Sequence, residues 1–279
     1  MRDGTSRTAA FTLVLDALNF CFWSADPQRR WRVRWCDDEY DGYWALVAAL
    51  RRALEEGRDI LNPRILAGLT IDDVALILRP GDPGTPEIPL LDLRHRHLVE
   101  LGRGLLARYP GADPVAALIE SAHGSAVRLV RMVTEAFPSF NDVTTYSGDE
   151  VRFYKRAQIL AADLHGAFGG AGLGTFSDLS ALTAFADYKV PQVLRGYGVL
   201  DYSADLARRI DGRRTIPMGS PEEVEIRAAT VWACEELRSA LAARGTTLRA
   251  FEVDWKLWQA GQTLPGGARP YHRTLTPFY

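Results

Sequence analysis

Between Phe140 and Gln192 the chain gathers side chains that can do chemistry. Asp142, Lys155, Arg156, Gln158, Asp163, Asp187, Lys189 and Gln192 fall in segments whose apolar spacing otherwise reads as buried helix. Burying a lysine or a carboxylate is costly unless the charge is paired or used. A site is the economical explanation. Lys155 with Asp187 is the pair best suited to it, because a fixed carboxylate can steady a developing positive charge or orient a water molecule.

The elements that must position this pair follow from spacing. Apolar residues from Ala9 to Trp23 predict an amphipathic first helix with Phe11, Val14, Leu15, Leu18 and Phe22 on one side. Arg2 and Arg7 ahead of it imitate a signal peptide, but Asp16 and Asn19 interrupt the apolar run. Alternation over Trp31–Trp35 predicts a short strand. Helical spacing covers Tyr43–Gly57, Leu91–Tyr109 and Pro114–Phe137, and Pro80, Pro83, Pro86 and Pro89 make an irregular connection, either a lobe boundary or a surface loop. Ser147-Gly148-Asp149-Glu150 has capping-box form and predicts a helix running to Gly169–Gly170, with Lys155 near its start looking out beside Gln158 and Ala162. After a glycine-rich turn, Ser177 is read as the N-cap of a helix to about Tyr188. Pro191 ends that helix, holds Val190 extended and opens another short helix closing at Gly198, so Asp187 faces a positive helix end. Ser220–Glu223 opens a long helix to Arg244, and Leu248–Trp258 is the last. The expected fold is mainly α, with a minor short-strand element near the N-terminus.

Composition bounds what such a site serves. With 279 residues, 47% of them hydrophobic, the chain can bury a full core, as a single compact domain over 1–279 or as two packed lobes joined at 80–90. A formal charge of -2, with arginines scattered among acids, provides no field for polyanions, so duplex nucleic acid is not an expected partner. Cys21, Cys36 and Cys234 match neither a disulfide framework nor zinc spacing and fit a reducing cytoplasm. No apolar run approaches the roughly twenty residues of a membrane span, so the expectation is a soluble protein. His95-x-His97 has no acid or cysteine cluster to complete it, and the glycine-rich turn follows a helix and lacks a Walker lysine. No metal, no cofactor and no obligate protein partner is expected.

A helix, a glycine-bearing turn, a helix and an aspartate before another helix is the order of the helix-hairpin-helix DNA glycosylases, and Asp187–Leu194 followed by Gly196 and Gly198 resembles their aspartate-bearing stretch. Thr175 and Phe176 stand where those enzymes usually carry a lysine or other polar residue, and the turn lies closer to the aspartate; a lysine, if used, comes from elsewhere, and Lys155 is the candidate. Over the whole length the chain is more similar to the queuosine salvage protein family. The similarity runs through Asn19-Phe20-Cys21-Phe22-Trp23, Gly42-Tyr43-Trp44-Ala45-Leu46, Phe153 to Leu160 (FYKRAQIL), Phe185-Ala186-Asp187-Tyr188 with Val190-Pro191-Gln192, Glu223 to Arg227, and Val253-Asp254-Trp255 with Leu257-Trp258. The resemblance implies a helical fold related to DNA glycosylases and a hydrolase that releases queuine from queuosine 5'-monophosphate.

Under that resemblance the residues take roles. Breaking an N-ribosyl bond builds positive charge on the sugar, which Asp187 can stabilise with Lys155 as its partner. The 7-deazaguanine leaving group lacks the basic ring nitrogen that purine glycosylases often protonate, so hydrogen bonds to groups such as Asp254 must substitute. Phe22, Trp23 and Tyr188 are stacking candidates. The amine and diol of the base call for carboxylate and amide partners; Asn19, Gln192 and Glu225 are further candidate binding residues, and Lys155, Lys189 and Arg227 are candidates for the 5'-phosphate. Each has a plainer alternative. Asp187 or Asp254 can be a cap, Lys155 can pair with Asp149 or Glu150 on a solvated face, Arg227 can pair with Glu223 four residues earlier, and the aromatics can be core. The rival functions are a nucleic-acid base glycosylase and a non-catalytic nucleoside binder.

Overall fold

The computed structural model describes residues 3–264 and 267–279, except 25, 27 and 28. Arg2, part of the basic start noted above, lies outside them. Among the described residues the chain is mainly helical: α1 (Ser6–Ala17), the hairpin β1 (Arg32–Trp35) and β2 (Asp38–Asp41), α2 (Gly42–Glu55), α3 (Pro63–Ala67), α4 (Ile71–Ile77), α5 (Leu91–Arg108), α6 (Pro114–Glu120), α7 (Ala126–Ala136), a second hairpin β3 (Val143–Tyr146) and β4 (Asp149–Arg152), then α8 (Lys155–Ala167), α9 (Lys189–Gly196), α10 (Ala204–Asp211), α11 (Pro221–Ala243) and α12 (Ala250–Gln262). Both hairpins are antiparallel, with Arg32 opposite Asp41 and Val143 opposite Arg152. The Pro80–Pro89 stretch is irregular, as its prolines require, and is tied to β1 where the Gly81 N–H donates to the Arg32 carbonyl at 2.9 Å.

The first helix is not amphipathic. Every residue from Thr8 to Ala17 is buried, and α1 packs against α5, α6 and α8. It also ends earlier than expected, leaving Phe22 on the irregular run that follows. Two fully buried arginines cause this. Arg156 Nη1 donates to the carbonyls of Asp16 (3.1 Å) and Ala17 (2.5 Å), while its Nη2 donates to Ser139. Arg94 donates to the carbonyls of Leu18, Phe20 (2.5 Å), Cys21 (3.1 Å) and Pro89 (3.0 Å). The two guanidiniums lie over the Phe20 ring at 5.1 and 4.2 Å. A helix C-terminus leaves carbonyls without partners and favours nearby cations, so these arginines complete α1 and fix the backbone from Leu18 to Cys21.

The capping-box reading at Ser147 is overturned. Ser147 and Gly148, with φ of 51° and 93°, form the two-residue turn of the second hairpin, where Tyr146 pairs with Asp149. Helix α8 starts only at Lys155, after Tyr154 in the left-handed region. Its cap comes from far back in sequence: the Asp142 carbonyl accepts from the N–H groups of Phe153 (3.0 Å) and Tyr154 (3.2 Å), and Asp142 Oδ2 accepts from the Lys155 N–H (3.3 Å). Lys155, Gln158 and Ala162 are buried rather than outward-facing.

The helix expected from Ser177 to Tyr188 is also absent. That span holds a single 3-10 turn, Leu179–Ala181, and then irregular chain. Helices elsewhere take its backbone groups: Gln158 Oε1 accepts from the Thr183 N–H (2.8 Å), Asp254 Oδ2 from the Phe185 N–H (2.9 Å), and Arg227 Nε donates to the Ala186 carbonyl (3.2 Å). Val190 is helical rather than extended, because α9 opens at Lys189 and Pro191 sits in its first turn, where no intrahelical N–H is needed. The expected helical span Pro114–Phe137 breaks between α6 and α7, with His123 (φ 50°) and Gly124 (φ 71°) in left-handed backbone.

Replacing Arg94 by alanine strands several buried carbonyls, each costing about 1–3 kcal/mol. Chemical denaturation of Arg94→Ala is expected to show a stability loss above about 3 kcal/mol.

Candidate active site

A cavity of about 700 Å³ lies where the chain after α1, the start of α2, helix α8, the junction before α9 and helix α12 converge. Its size suits a small-molecule ligand. Of the candidates read from sequence, Asn19, Phe22, Trp23, Lys155, Asp187, Tyr188, Lys189 and Asp254 line it. Gln192, Glu225 and Arg227 do not. Gln192 donates to the Arg269 carbonyl at 2.7 Å, and Glu225 is exposed and accepts from the Tyr146 hydroxyl at 2.6 Å.

Asp187 is 7% exposed, and its Oδ1 accepts from the N–H groups of Lys189 and Val190, both at 2.9 Å. The positive end of α9 therefore holds the carboxylate, as the proline spacing implied. Burial pushes its pKa up; the Lys155 charge, foremost, and these two N–H bonds oppose the rise. Lys155 is 6% exposed, and among the described residues its ammonium makes no direct ion pair or hydrogen bond. Burial pushes its pKa down, chiefly against the charge of Asp187. Desolvation thus draws both toward neutrality while each holds the other charged. Asp254, 3% exposed, is driven well above the usual carboxylate range by burial and then by the charge of Asp187, against its hydrogen bond from the Phe185 N–H and the charge of Lys155.

Arg227 sits behind this wall. Its Nη1 and Nη2 meet Asp142 Oδ1 and Oδ2 at 3.0 and 2.5 Å, its Nε reaches the Ala186 carbonyl, and Glu223 Oε1 lies 3.6 Å away. Phe153 and Tyr279 cover the guanidinium at 3.9 and 4.5 Å. The i,i+4 spacing with Glu223 reads correctly as an ion pair, and the stronger partner comes from 85 residues away. Arg227 thereby fixes both the residue that caps α8 at Lys155 and the residue preceding Asp187.

The family model of the queuosine salvage proteins matches residues 1–279. The chain belongs to the queuosine salvage protein family. Members similar to it include proteins named queuosine 5'-phosphate N-glycosylase/hydrolase from Sphaerobacter thermophilus, 57% identical over 99% of this chain and 83% of that protein, and from Bos taurus, 37% identical over the same shares. A third, from Schizosaccharomyces pombe, is 35% identical over 90% of this chain and 74% of its own length.

In this member of the queuosine salvage family the aromatic lining extends beyond Phe22, Trp23 and Tyr188. Tyr43, Trp258, Tyr271 and Tyr279 also line the cavity, with Tyr43 edge-on to Trp258 at 5.9 Å and Tyr188 against Tyr271 at 4.8 Å. The sequence placed Trp258 at the end of the last helix without marking it for the cavity, and no local signal marked Tyr271 or Tyr279. Lys189 Nζ donates to the Gly261 carbonyl at 3.0 Å, and Arg30, also a lining residue, pairs with Asp41 at 3.2 Å. His95 and His97 contact the carbonyls of Leu69 and Ala17, and no metal-holding group of three His, Cys, Asp or Glu occurs among the described residues.

Removing the guanidinium of Arg227 leaves the Asp142 charge buried and unpaired, which costs about 3–5 kcal/mol. Arg227→Ala is expected to lower the urea midpoint accordingly, while Glu225→Ala, at the surface, leaves it within about 0.5 kcal/mol of wild type.

Proposed function

We propose that this chain is an N-ribosyl hydrolase that releases queuine from queuosine 5'-monophosphate, with Asp187 as the principal catalytic carboxylate and Lys155 as its partner. The observation that carries this reading is a buried carboxylate, held by the N–H groups of α9 and under the charge of the buried Lys155 ammonium, which makes no direct ion pair or hydrogen bond among the described residues, in the wall of a nucleotide-sized cavity. The activity for which relatives up to 57% identical are named supports the same substrate.

In this reading C1' of the ribose lies against Asp187. As the bond to the base lengthens, the sugar gains positive charge, and a carboxylate already fixed by backbone donors stabilises that charge without reorganising. The same oxygens orient the attacking water or take its proton. Asp254 meets the guanidine-like N–H edge of the departing ring system, which lacks a basic ring nitrogen of its own. Tyr188, Phe22 and Trp23 form the apolar walls against which the flat base stacks. Lys189 and Arg30, neighbours in charge at the cavity, are the cations for the 5'-phosphate. Arg227 is withdrawn from that role because Asp142 occupies it. The cytoplasm is the proposed compartment, and a mononucleotide rather than duplex nucleic acid is the proposed ligand.

Asp187→Asn is expected to lower kcat on queuosine 5'-monophosphate on the order of 10²- to 10³-fold with KM little changed, measured as release of free queuine. Retained turnover in that variant, or no base release by wild type, overturns the assignment. The pH profile offers a second check. Activity needs Asp187 ionised and Lys155 protonated; the first pKa is raised above the ordinary 3.8 and the second lowered below 10.5. The plot of kcat/KM is expected to be a bell whose limbs both lie inward of those two values, and the acid limb is expected to disappear in Asp187→Asn.

A further inference from the structure

The lining of the cavity is uneven in its exposure. Asn19, Phe20, Lys155, Asp187 and Asp254 are buried, whereas Arg30, Asp41, Trp44, Gln259 and Gln262 are exposed. The cavity therefore closes around the reacting pair and opens to solvent beside Arg30 and Trp44. Lys189 stands between the two. It follows Asp187 at the start of α9, its Nζ donates to the Gly261 carbonyl at 3.0 Å, next to the exposed Gln262, and it lies 5.8 Å from the centre of the Tyr271 ring.

The open end carries an aromatic side chain that the reaction leaves unused. Trp44 is 52% exposed although it lines the cavity, and its ring meets Tyr43 edge-on at 5.1 Å. Asp41 is the N-cap of α2, and Trp44, one turn further on, shares its side of the helix. Asp41 in turn holds Arg30 Nη1 at 3.2 Å, with the two side chains 51% and 43% exposed. Trp44 and Arg30 are thus neighbours through Asp41. An exposed ion pair of this kind contributes about 0–1 kcal/mol, so an incoming phosphate can take the guanidinium with charge-assisted hydrogen bonds. Large apolar surface left in water at the mouth of a cavity marks a place for a ligand.

We propose that Trp44 and Arg30 form a subsite for a second nucleoside joined through the 5'-phosphate, so that the chain also acts on queuosine at the 3' end of a short single strand. This rests on the reading above, in which Lys189 and Arg30 hold the 5'-phosphate. A phosphate placed there lies at the open end, and whatever is esterified to it leaves the cavity past Trp44. Every nucleobase has a flat face, and stacking on an aromatic side chain beside a cation binds single strands without regard to sequence, at about 1–3 kcal/mol per stacked base. One phosphodiester needs only the two local cations, which agrees with a formal charge of -2 that provides no field for long polyanions. The chemistry at C1' is the same: water adds its hydroxide to C1' and its proton to the departing base, and the phosphodiester stays intact.

Binding is measured in Asp187→Asn, so that it does not depend on turnover. Calorimetric titration with a dinucleotide carrying queuosine at its 3' end, and with queuosine 5'-(methyl phosphate), compares two ligands of equal phosphate charge that differ in the second nucleoside. The dinucleotide is expected to bind roughly 10-fold tighter. Adding Trp44→Ala is expected to collapse that ratio toward one, and adding Trp44→Phe to keep most of it. Equal affinity of the two ligands, or a ratio that survives Trp44→Ala, overturns the subsite. Thermal melts accompany each variant; if Trp44→Ala does not fold, Trp44→Gln is expected to show the same collapse. Wild-type protein is expected to release queuine from the dinucleotide, and release from the mononucleotide alone overturns the dinucleotide as a substrate. Release from neither, with the binding ratio intact, defeats the proposed reaction but not the subsite, and release from the mononucleotide without the ratio does the reverse.

Discussion

The contact between Arg227 and Asp142 organises the cavity wall. Asp142 caps α8 with both its carbonyl and its carboxylate, which sets where Lys155 begins that helix. The same guanidinium holds the Ala186 carbonyl and so fixes the chain immediately before Asp187. One buried ion pair thus sets Lys155, at the start of α8, and Asp187, just before α9, relative to each other. Tyr279 closes the arrangement: its hydroxyl donates to Glu223 at 2.7 Å and its carbonyl accepts from the Cys21 N–H at 2.9 Å, linking the same cluster to the segment that carries Phe22 and Trp23. A planar, bidentate cation is suited to this, since it engages carboxylate and carbonyl partners at once with fixed geometry.

A cavity built this way holds charges that folding disfavours. Lys155, Asp187, Asp254 and Asp16 are all nearly inaccessible, and burial is the leading influence on each of their pKa values. The compensation lies elsewhere. Arg94 and Arg156 complete the end of α1 with backbone hydrogen bonds, and side chains from α8, α11 and α12 satisfy the irregular chain from Thr183 to Ala186. Lys155, Asp187 and Asp254 line the cavity, whereas Asp16 lies behind its lining.

What could be read from sequence divides along the range of the interactions involved. The mainly helical character, the extent of α2, α5 and α11, and the placing of Asp187 at the start of α9 were legible, because spacing, proline and N-cap chemistry act within a few residues. The errors share a cause. Ser147–Glu150 satisfies a helix-start pattern but forms a hairpin turn, since the true cap of α8 is Asp142, brought in by tertiary structure. The 177–188 stretch has helical spacing but lends its backbone to Gln158, Asp254 and Arg227. Arg227 itself was legible as a cation but not as a buried strut, for its main partner lies 85 residues away. Asp16 appeared only as an interruption of an apolar helix, and the meaning of that interruption depends on α8 packing beside it. The family resemblance, in contrast, was carried by short strings that survive regardless of what each residue touches, and full-length matches to the family confirm it.

The most direct test of this account is a double-mutant cycle on kcat with Arg227→Lys and Asp187→Asn. If the guanidinium acts by positioning the reacting pair, Arg227→Lys costs much in the wild-type background and almost nothing once Asp187 is lost, so the two effects are strongly non-additive. Fully additive losses would mean that Arg227 and Asp187 act independently, and the cavity wall described here would not be the device that assembles the site.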